Sequence, residues 1–232
     1  MQYRLVAGNV YPAPALPGGD GMTPAKRFAD LFLAVVLTLI LFPFIIIVAL
    51  AILIRDGRPI LFGHPRVKSP GQNFTLWKFR TMHPTRAVKD HGVSGGHKRR
   101  RITGTGKFLR RTRLDEMPQL WNVLKGDISF VGPRPPDPRY VKMFPELYAE
   151  VLKSRPGLTG LATVVYHKTE DKLLASCKTP QQTEAVYTRV CVPRKAKLDL
   201  IYAENRNLIY DTVLVLATVF RKVPLHLKKR FR

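Results

Sequence analysis

The chain has 232 residues, 45% of them hydrophobic, and carries 39 Lys and Arg against 16 Asp and Glu, a formal net charge of +23. That apolar content excludes general disorder, and the length allows one ordinary domain with an appendage. Cys177 and Cys191 lack a disulfide-framework or zinc spacing, so a reducing, cytosol-facing location is expected, while the charge calls for an anionic partner.

Residues 1–24, with Pro12, Pro14, Pro17, Gly18 and Gly19, read as a loose leader. They do not read as a cleavable signal, because no small-residue cleavage site follows the apolar run. Leu31 to Ile54 is almost wholly apolar and as a straight helix would reach roughly 36 Å, enough to cross a hydrocarbon core of ~30 Å. Near its centre Pro43 lacks the amide hydrogen of the helical ladder and its ring crowds the carbonyl of Leu39, which predicts a kink. A bent single-pass anchor is one reading. Flanking charge favours another: Arg4, Lys26 and Arg27 precede the segment and Arg55, Arg58 and Arg66 follow it, without the imbalance that orients a spanning helix. Residues 25–55 are therefore expected to form a re-entrant helix-break-helix hairpin kinked at Pro43, both flanks lying at a face that carries anionic lipid.

Residues 56–223 form the predicted cytoplasmic domain, followed by a basic tail, 224–232. Turn residues Gly63, Pro65, Pro70, Gly71 and Asn73 and the alternating run Phe74 to Arg80 predict a short β-hairpin with Lys78 and Arg80 on one face. Polar, glycine-containing residues 85–101 read as a surface loop able to close over substrate. Glu116 to Lys125 has a helical apolar face in Leu120, Trp121 and Leu124 and a stop at Gly126, placing Asp115 at the helix entrance. Pro145 to Lys153 reads as a short amphipathic helix, and Pro156 to Gly160 as a tight connection. Lys197 to Val223 has helical periodicity too polar to span, suited to the membrane surface or to a core.

The pair Asp115-Glu116 follows a long basic tract that contains no acid. Two acids in so positive a neighbourhood suit a site holding phosphate and a divalent metal with a reactive carboxylate between them. Alone, the pair reads more readily as structural, Asp115 as a helix cap and Glu116 as a dipole partner. Gly132-Pro133-Arg134-Pro135-Pro136 is a rigid turn that fixes the guanidinium of Arg134, a geometry suited to bidentate phosphate binding.

These segments together resemble the monotopic phosphoglycosyl transferases, the bacterial sugar transferase family, over roughly Lys26 to Val223. The resemblance rests on Lys26 to Asp30, Lys78-Phe79-Arg80-Thr81-Met82, Arg101-Ile102-Thr103, Leu114 to Asp127, Val131 to Pro135, Pro156 to Gly160 and Leu198 to Tyr202, in that order. It implies a predominantly helical α+β chain: a re-entrant membrane hairpin, a small cytoplasmic domain with a β-hairpin, and amphipathic interfacial helices. It further implies transfer of a sugar phosphate from a UDP-sugar to a polyprenyl phosphate in the cytoplasmic leaflet of the bacterial inner membrane, with release of UMP. Asp115 is then the nucleophile and metal ligand, Glu116 its partner in the dyad, Lys78, Arg110 and Arg134 bind phosphate, and the cofactor is magnesium. Arginines and a helix N-terminus are expected to favour the charged form of Asp115.

The chain departs from the family where Phe42 replaces the usual Ser before the hairpin proline, a place Thr38 could fill by bonding back into the helix. It also has Arg113 two residues before the Asp and Thr163 where Gln is common, which bears on sugar specificity. A membrane-tethered binder of nucleic acid or anionic lipid is the competing reading. It shares the basic patch, lacks any helix-turn-helix, zinc-finger or RNA-binding signature, and leaves the acidic pair without a use, so nucleic acid is not an expected partner. Oligomeric state is left open.

Overall fold

A computed structural model describes residues 3–6, 9–12, 21–84 and 101–220. The expected lid, apart from Arg101, and the basic tail lie outside them. Two short strands, β1 (Tyr3–Val6) and β2 (Asn9–Pro12), pair antiparallel where a loose leader was predicted.

Helix α1 (Pro24–Arg55) is one unbroken 32-residue element. Thr23 starts it, its hydroxyl accepting from the Lys26 amide at 3.2 Å with Pro24 at the first helical position, and the Asp56 amide closes it on Ile52. Asp30, Ala34, Leu37, Leu41, Ile45, Val48 and Ile52, spaced three or four apart, turn toward the domain. That stripe keeps its phase across Pro43, so the predicted interruption is not a gap in the helix; packing on both sides of the proline holds the two halves in register. The Thr38 hydroxyl has no partner and does not perform the expected back-bond. The opposite face, from Phe28 and Phe32 through Leu39 (71% exposed) to Ile54 (80% exposed), is a continuous apolar surface, far too large for contact with water.

The hairpin is present: β3 (Leu61–Ser69) pairs antiparallel with β4 (Gln72–Phe79) around Gly71 in the left-handed region. Arg80 does not share the course of Lys78 but donates to the carbonyls of Asp56 and Gly57, both at 2.6 Å, capping the end of α1. Next come α2 (Gly104–Thr112), a 3-10 turn (Leu114–Glu116) and α3 (Gln119–Lys125), which ends as predicted on Gly126. Asp115 therefore lies in a separate turn before α3, not at its first residue, because Pro118 fixes the later start. Strand β5 (Ser129–Val131) follows, then α4 (Pro138–Met143), α5 (Pro145–Val151) and β6 (Gly157–Thr159). The predicted tight connection is thus a strand, parallel to β5, its conformation set by a neighbour remote in sequence.

The rest is helical: α6 (Leu161–Ala175), α7 (Pro180–Val186), a π turn (Tyr187–Cys191), α8 (Val192–Asn205) and α9 (Leu208–Phe220). The single helix expected from Lys197 onward is two, α8 and α9, separated at Arg206 and Asn207, where the Asn207 side chain accepts from the Tyr210 amide and starts the second. One core joins α1, α3, β5, α6, α8 and α9 around Ala34, Val123, Ile128, Leu161, Tyr202 and Leu214.

Candidate active site

The acidic pair is presented by a strained turn. Arg113 has φ 60° and ψ 16°, the left-handed region that a side chain disfavours by about 1–2 kcal/mol, and from it the chain enters the 3-10 turn. Three residues later α3 is bolted to the hairpin by Asn122. Its Oδ1 accepts from the Trp77 amide at 3.1 Å and its Nδ2 donates to the Thr75 carbonyl at 2.8 Å and to Asp127 at 2.9 Å. The side chain is fully buried, so every polar atom must be matched, and the match fixes Lys78 against the acidic turn. The Lys78 ammonium meets Glu116 Oε1 at 2.7 Å, and Arg113 approaches Oε2 at 3.7 Å.

Burial alone would raise the Glu116 pKa, but Lys78 and Arg134 outweigh it and hold the carboxyl at about 2. It stays charged throughout the physiological range. Asp115 behaves oppositely. It is 8% exposed, and burial, reinforced by Glu116 and opposed by Lys78 and Arg110, leaves its pKa above the usual aspartate range. The expectation that cations would favour its charged form is thereby corrected: desolvation wins at this position. Two neighbouring carboxylates with opposed shifts divide the labour, one a fixed charge and the other able to change state.

Arg110 donates through Nε to Thr81 at 2.8 Å and faces Asp115. Arg134 reaches solvent but is crowded by protein, as a residue on a cleft wall is. Burial would lower its pKa; Glu116, Glu170, Tyr187 and Asp115 together raise it. Its place is set by glycines: Gly132 donates to Thr159 at 2.9 Å and Gly157 to the Pro133 carbonyl at 2.8 Å, so the two backbones touch. All five residues singled out in the sequence, Lys78, Arg110, Asp115, Glu116 and Arg134, thus converge.

Others were missed. Arg66 on β3 and Gln119 on α3 line a cleft with Lys78 and Arg134. Behind Arg134, Lys195 of α8 bonds Glu170 of α6 at 2.9 Å and stacks on the Tyr187 ring in the π turn, its ammonium 5.1 Å from the centroid. The alternation of β3 could have exposed Arg66; the α6–α8 cluster joins residues 25 apart and left no local signal.

Asp199 of α8 is buried with Oδ1 unpartnered, and desolvation, against the pull of Lys195, raises its pKa to about 7. Because the folded value exceeds the unfolded one near 3.8, this group's stabilising contribution is full below about pH 4 and is lost as pH rises through 7. Asp199→Asn should match the parent near pH 4 and be more stable at pH 8 by roughly 2–4 kcal/mol. Thermal denaturation at the two pH values measures it; equal midpoints at pH 8 would refute the shift.

A buried aspartate and a half-buried glutamate ringed by Lys and Arg thus lie in the same domain as a helix long and apolar enough to cross a membrane. The chain belongs to the bacterial sugar transferase family, whose profile matches residues 22–224. It is 41% identical over 146 residues to a UDP-glucose:undecaprenyl-phosphate glucose-1-phosphate transferase of Caulobacter vibrioides, covering 60% of this chain and 53% of that one. With a UDP-N-acetylgalactosamine-undecaprenyl-phosphate N-acetylgalactosaminephosphotransferase of Aeromonas hydrophila it shares 31% over 200 residues, 84% of this chain and 42% of the relative. An uncharacterised sugar transferase of Bacillus subtilis, EpsL, is 32% identical over 198 residues, 85% and 86% of the two chains. The chain thus spans about half or less of the two relatives named for a reaction and most of the third.

Proposed function

We propose that this protein transfers a sugar 1-phosphate from a UDP-sugar to a polyprenyl phosphate through a covalent aspartyl-phosphosugar, at the cytoplasmic face of the bacterial inner membrane. The observation that carries the reading is the acidic pair: Glu116 neutralised by Lys78 beside a buried Asp115 whose charge is costly and therefore reactive. An Asp115 oxygen attacks the sugar-bearing phosphorus; the bond to the bridging oxygen breaks, and its electron pair leaves with UMP. A phosphate oxygen of the acceptor then attacks the same phosphorus, and the pair returned to Asp115 restores the carboxylate. No net proton is moved. Lys78, Arg110 and Arg134 offset the anionic charge gathered around the phosphorus.

Among the described residues no cluster of three or more His, Cys, Asp or Glu forms a ready-made metal cage. With Glu116 committed to Lys78, Asp115 is left as a protein ligand, which suits magnesium, an ion held by one or two carboxylates with substrate phosphates and water. When bound it would supply positive charge to the diphosphate.

Two features support both ends of α1 lying at one membrane face. At its start, Lys26 bonds Asp211 and Arg27 caps α3 through the Val123 and Leu124 carbonyls, both at 2.8 Å. At its end, Asp56 is held by Arg80 and by the Thr103 hydroxyl at 3.0 Å. One domain grips both ends, which argues against a hydrocarbon layer of ~30 Å between them. On α9, Ile209, Leu216, Val219 and Phe220 form a second exposed apolar stripe suited to the interface. Cysteines placed at Met22 and Arg58, in a Cys177→Ser/Cys191→Ser background, should both be labelled from the cytoplasmic side of sealed vesicles. Labelling of either from the opposite side alone would establish a spanning helix.

The transfer itself is tested with detergent-solubilised protein, magnesium and a panel of UDP-sugars with polyprenyl phosphate. UMP release is expected with at least one sugar. Salt-sensitive nucleic-acid binding without turnover of any would favour the binding module.

A further inference from the structure

The acidic pair is one end of a longer series of charges. Lys78 on β4 meets Glu116 at 2.7 Å, and Lys195 on α8 meets Glu170 on α6 at 2.9 Å. Arg134 stands between these two pairs, for Glu116 and then Glu170 are the carboxylates that act on it most strongly. From β4 to α8 the signs alternate: Lys78, Glu116, Arg134, Glu170, Lys195. The outer pair is as enclosed as the one in the acidic turn, the side chains of Lys195 and Glu170 being 12% and 18% exposed. Lys195 is held further by the Tyr187 hydroxyl at 3.4 Å and by the face of that ring. Tyr140 braces the ring in turn, its centroid 4.8 Å away and its own hydroxyl donating to Glu184 at 2.9 Å.

Stability does not explain the outer pair. Two charges taken out of water recover little of their desolvation cost, and apolar residues of similar size commonly replace such pairs without loss. Its place behind Arg134 explains it better. Burial and Arg134 both work to lower the Lys195 pKa, and Tyr187 with Glu170 more than offset them, so Glu170 separates two cations that repel each other. Asp199, the other acid near Lys195, is a poorer counter-charge because burial lifts its pKa to about 7. Without the Glu170 carboxylate, Lys195 and Arg134 would face each other and the guanidinium would be driven from its position. Without Lys195, Glu170 would be released to take the guanidinium hydrogens itself. We propose that Glu170 and Lys195 are positioning residues for Arg134: Glu170 fixes the guanidinium beside the acidic turn, and Lys195 occupies Glu170 so that the arginine's hydrogens stay available to substrate phosphate. The assignment rests on the transfer reading above, in which Arg134 binds that phosphate.

The test is a double-mutant cycle on the full chain in detergent, read by calorimetric titration with UMP and with inorganic pyrophosphate and by the rate of UMP release. Glu170→Gln and Lys195→Met should each weaken both probes and slow release by about tenfold or more. In an Arg134→Ala background, itself impaired, adding Glu170→Gln should change affinity by less than about twofold, because the residue it acts through is gone. Glu170→Gln/Lys195→Met, which leaves no unpaired charge, should bind better than either single variant. A scaffold role would instead give Glu170→Gln the same effect with and without Arg134, and that result overturns the proposal, as does parental affinity in both single variants or binding of neither probe by the parent. Thermal midpoints report folding; if Glu170→Gln does not fold, Glu170→Asp, which keeps the charge on a shorter arm, is compared in the same two backgrounds. Failure of the parent to release UMP from any UDP-sugar removes the transfer reading, whereas the titrations still decide whether Glu170 acts through Arg134.

Discussion

Asp115→Asn is expected to abolish UMP release, a loss of about a thousandfold or more, while leaving the fold intact. The amide matches the carboxylate in shape, so packing in the turn is kept, but its oxygen cannot form the acyl phosphate. Folding and catalysis separate cleanly here because the Asp115 pKa is raised. A raised acid stabilises the fold fully below its unfolded pKa and loses that contribution as pH rises through the folded value, so at neutral pH the neutral amide should be at least as stable as the parent. For the same reason UMP release by the parent should fall on acidification at a pH above the usual aspartate range. Glu116, held at about 2, cannot produce that limb. The measurement is a UMP assay with UDP-sugar alone, which reads the first displacement, paired with thermal denaturation. Turnover by a well-folded Asp115→Asn at parental rate would remove residue 115 from the chemistry.

Gly132→Ala should be nearly as damaging by a different route. A Cβ there would stand 2.1 Å from the Arg155 carbonyl and 3.0 Å from the Gly157 nitrogen, both backbone atoms that no rotamer change can move. Strands β5 and β6 must part, at a cost of about 1–3 kcal/mol, and Arg134 two residues on is carried away from the acidic turn. Transfer should fall about a hundredfold or more, because an immobilised guanidinium is effective only at its designed distance. Gly104→Ala is the matched control, since nothing lies within 4 Å of its added carbon. Parental activity and stability in Gly132→Ala would show that the strand contact does not position the arginine.

Much of this arrangement could be read in the chain because its causes are local. The hairpin around Gly71, the stop at Gly126 and the apolar run of α1 each follow from residue types within a few positions. The acidic pair was legible for a related reason: acids are so scarce in this sequence that two of them side by side after a basic tract stand out, whereas Arg134 was marked by its rigid turn and Lys78 and Arg110 only by the family resemblance. What escaped depends on distant partners. Pro156 to Gly160 reads as a turn because its glycines and proline dominate any local rule, yet Gly157 is glycine so that β6 can press against Gly132. The protonation tendency of Asp115 was misjudged because counting nearby arginines omits desolvation, which only a burial can reveal. Glu170, Lys195 and Tyr187 meet through a helix crossing and a π turn, neither of which has a periodic signature.

Lys26 near the start of α1 bonds Asp211 of α9, whose other oxygen lies 2.7 Å from the Tyr202 hydroxyl, itself 3.2 Å from the Val131 carbonyl one residue before Gly132. Asp30 adds a bond from the Phe130 amide at 3.2 Å. The greasy segment is therefore a structural wall of the domain that holds the acidic pair and not a detachable leash. Excising it to obtain a water-soluble domain would strand a buried aspartate, open the side of the core that Ala34 and Ile52 close, and unseat the strand that carries the chain toward Arg134. The domain that holds the acidic pair ends where that helix is cut, and its exposed apolar face belongs to the folded unit.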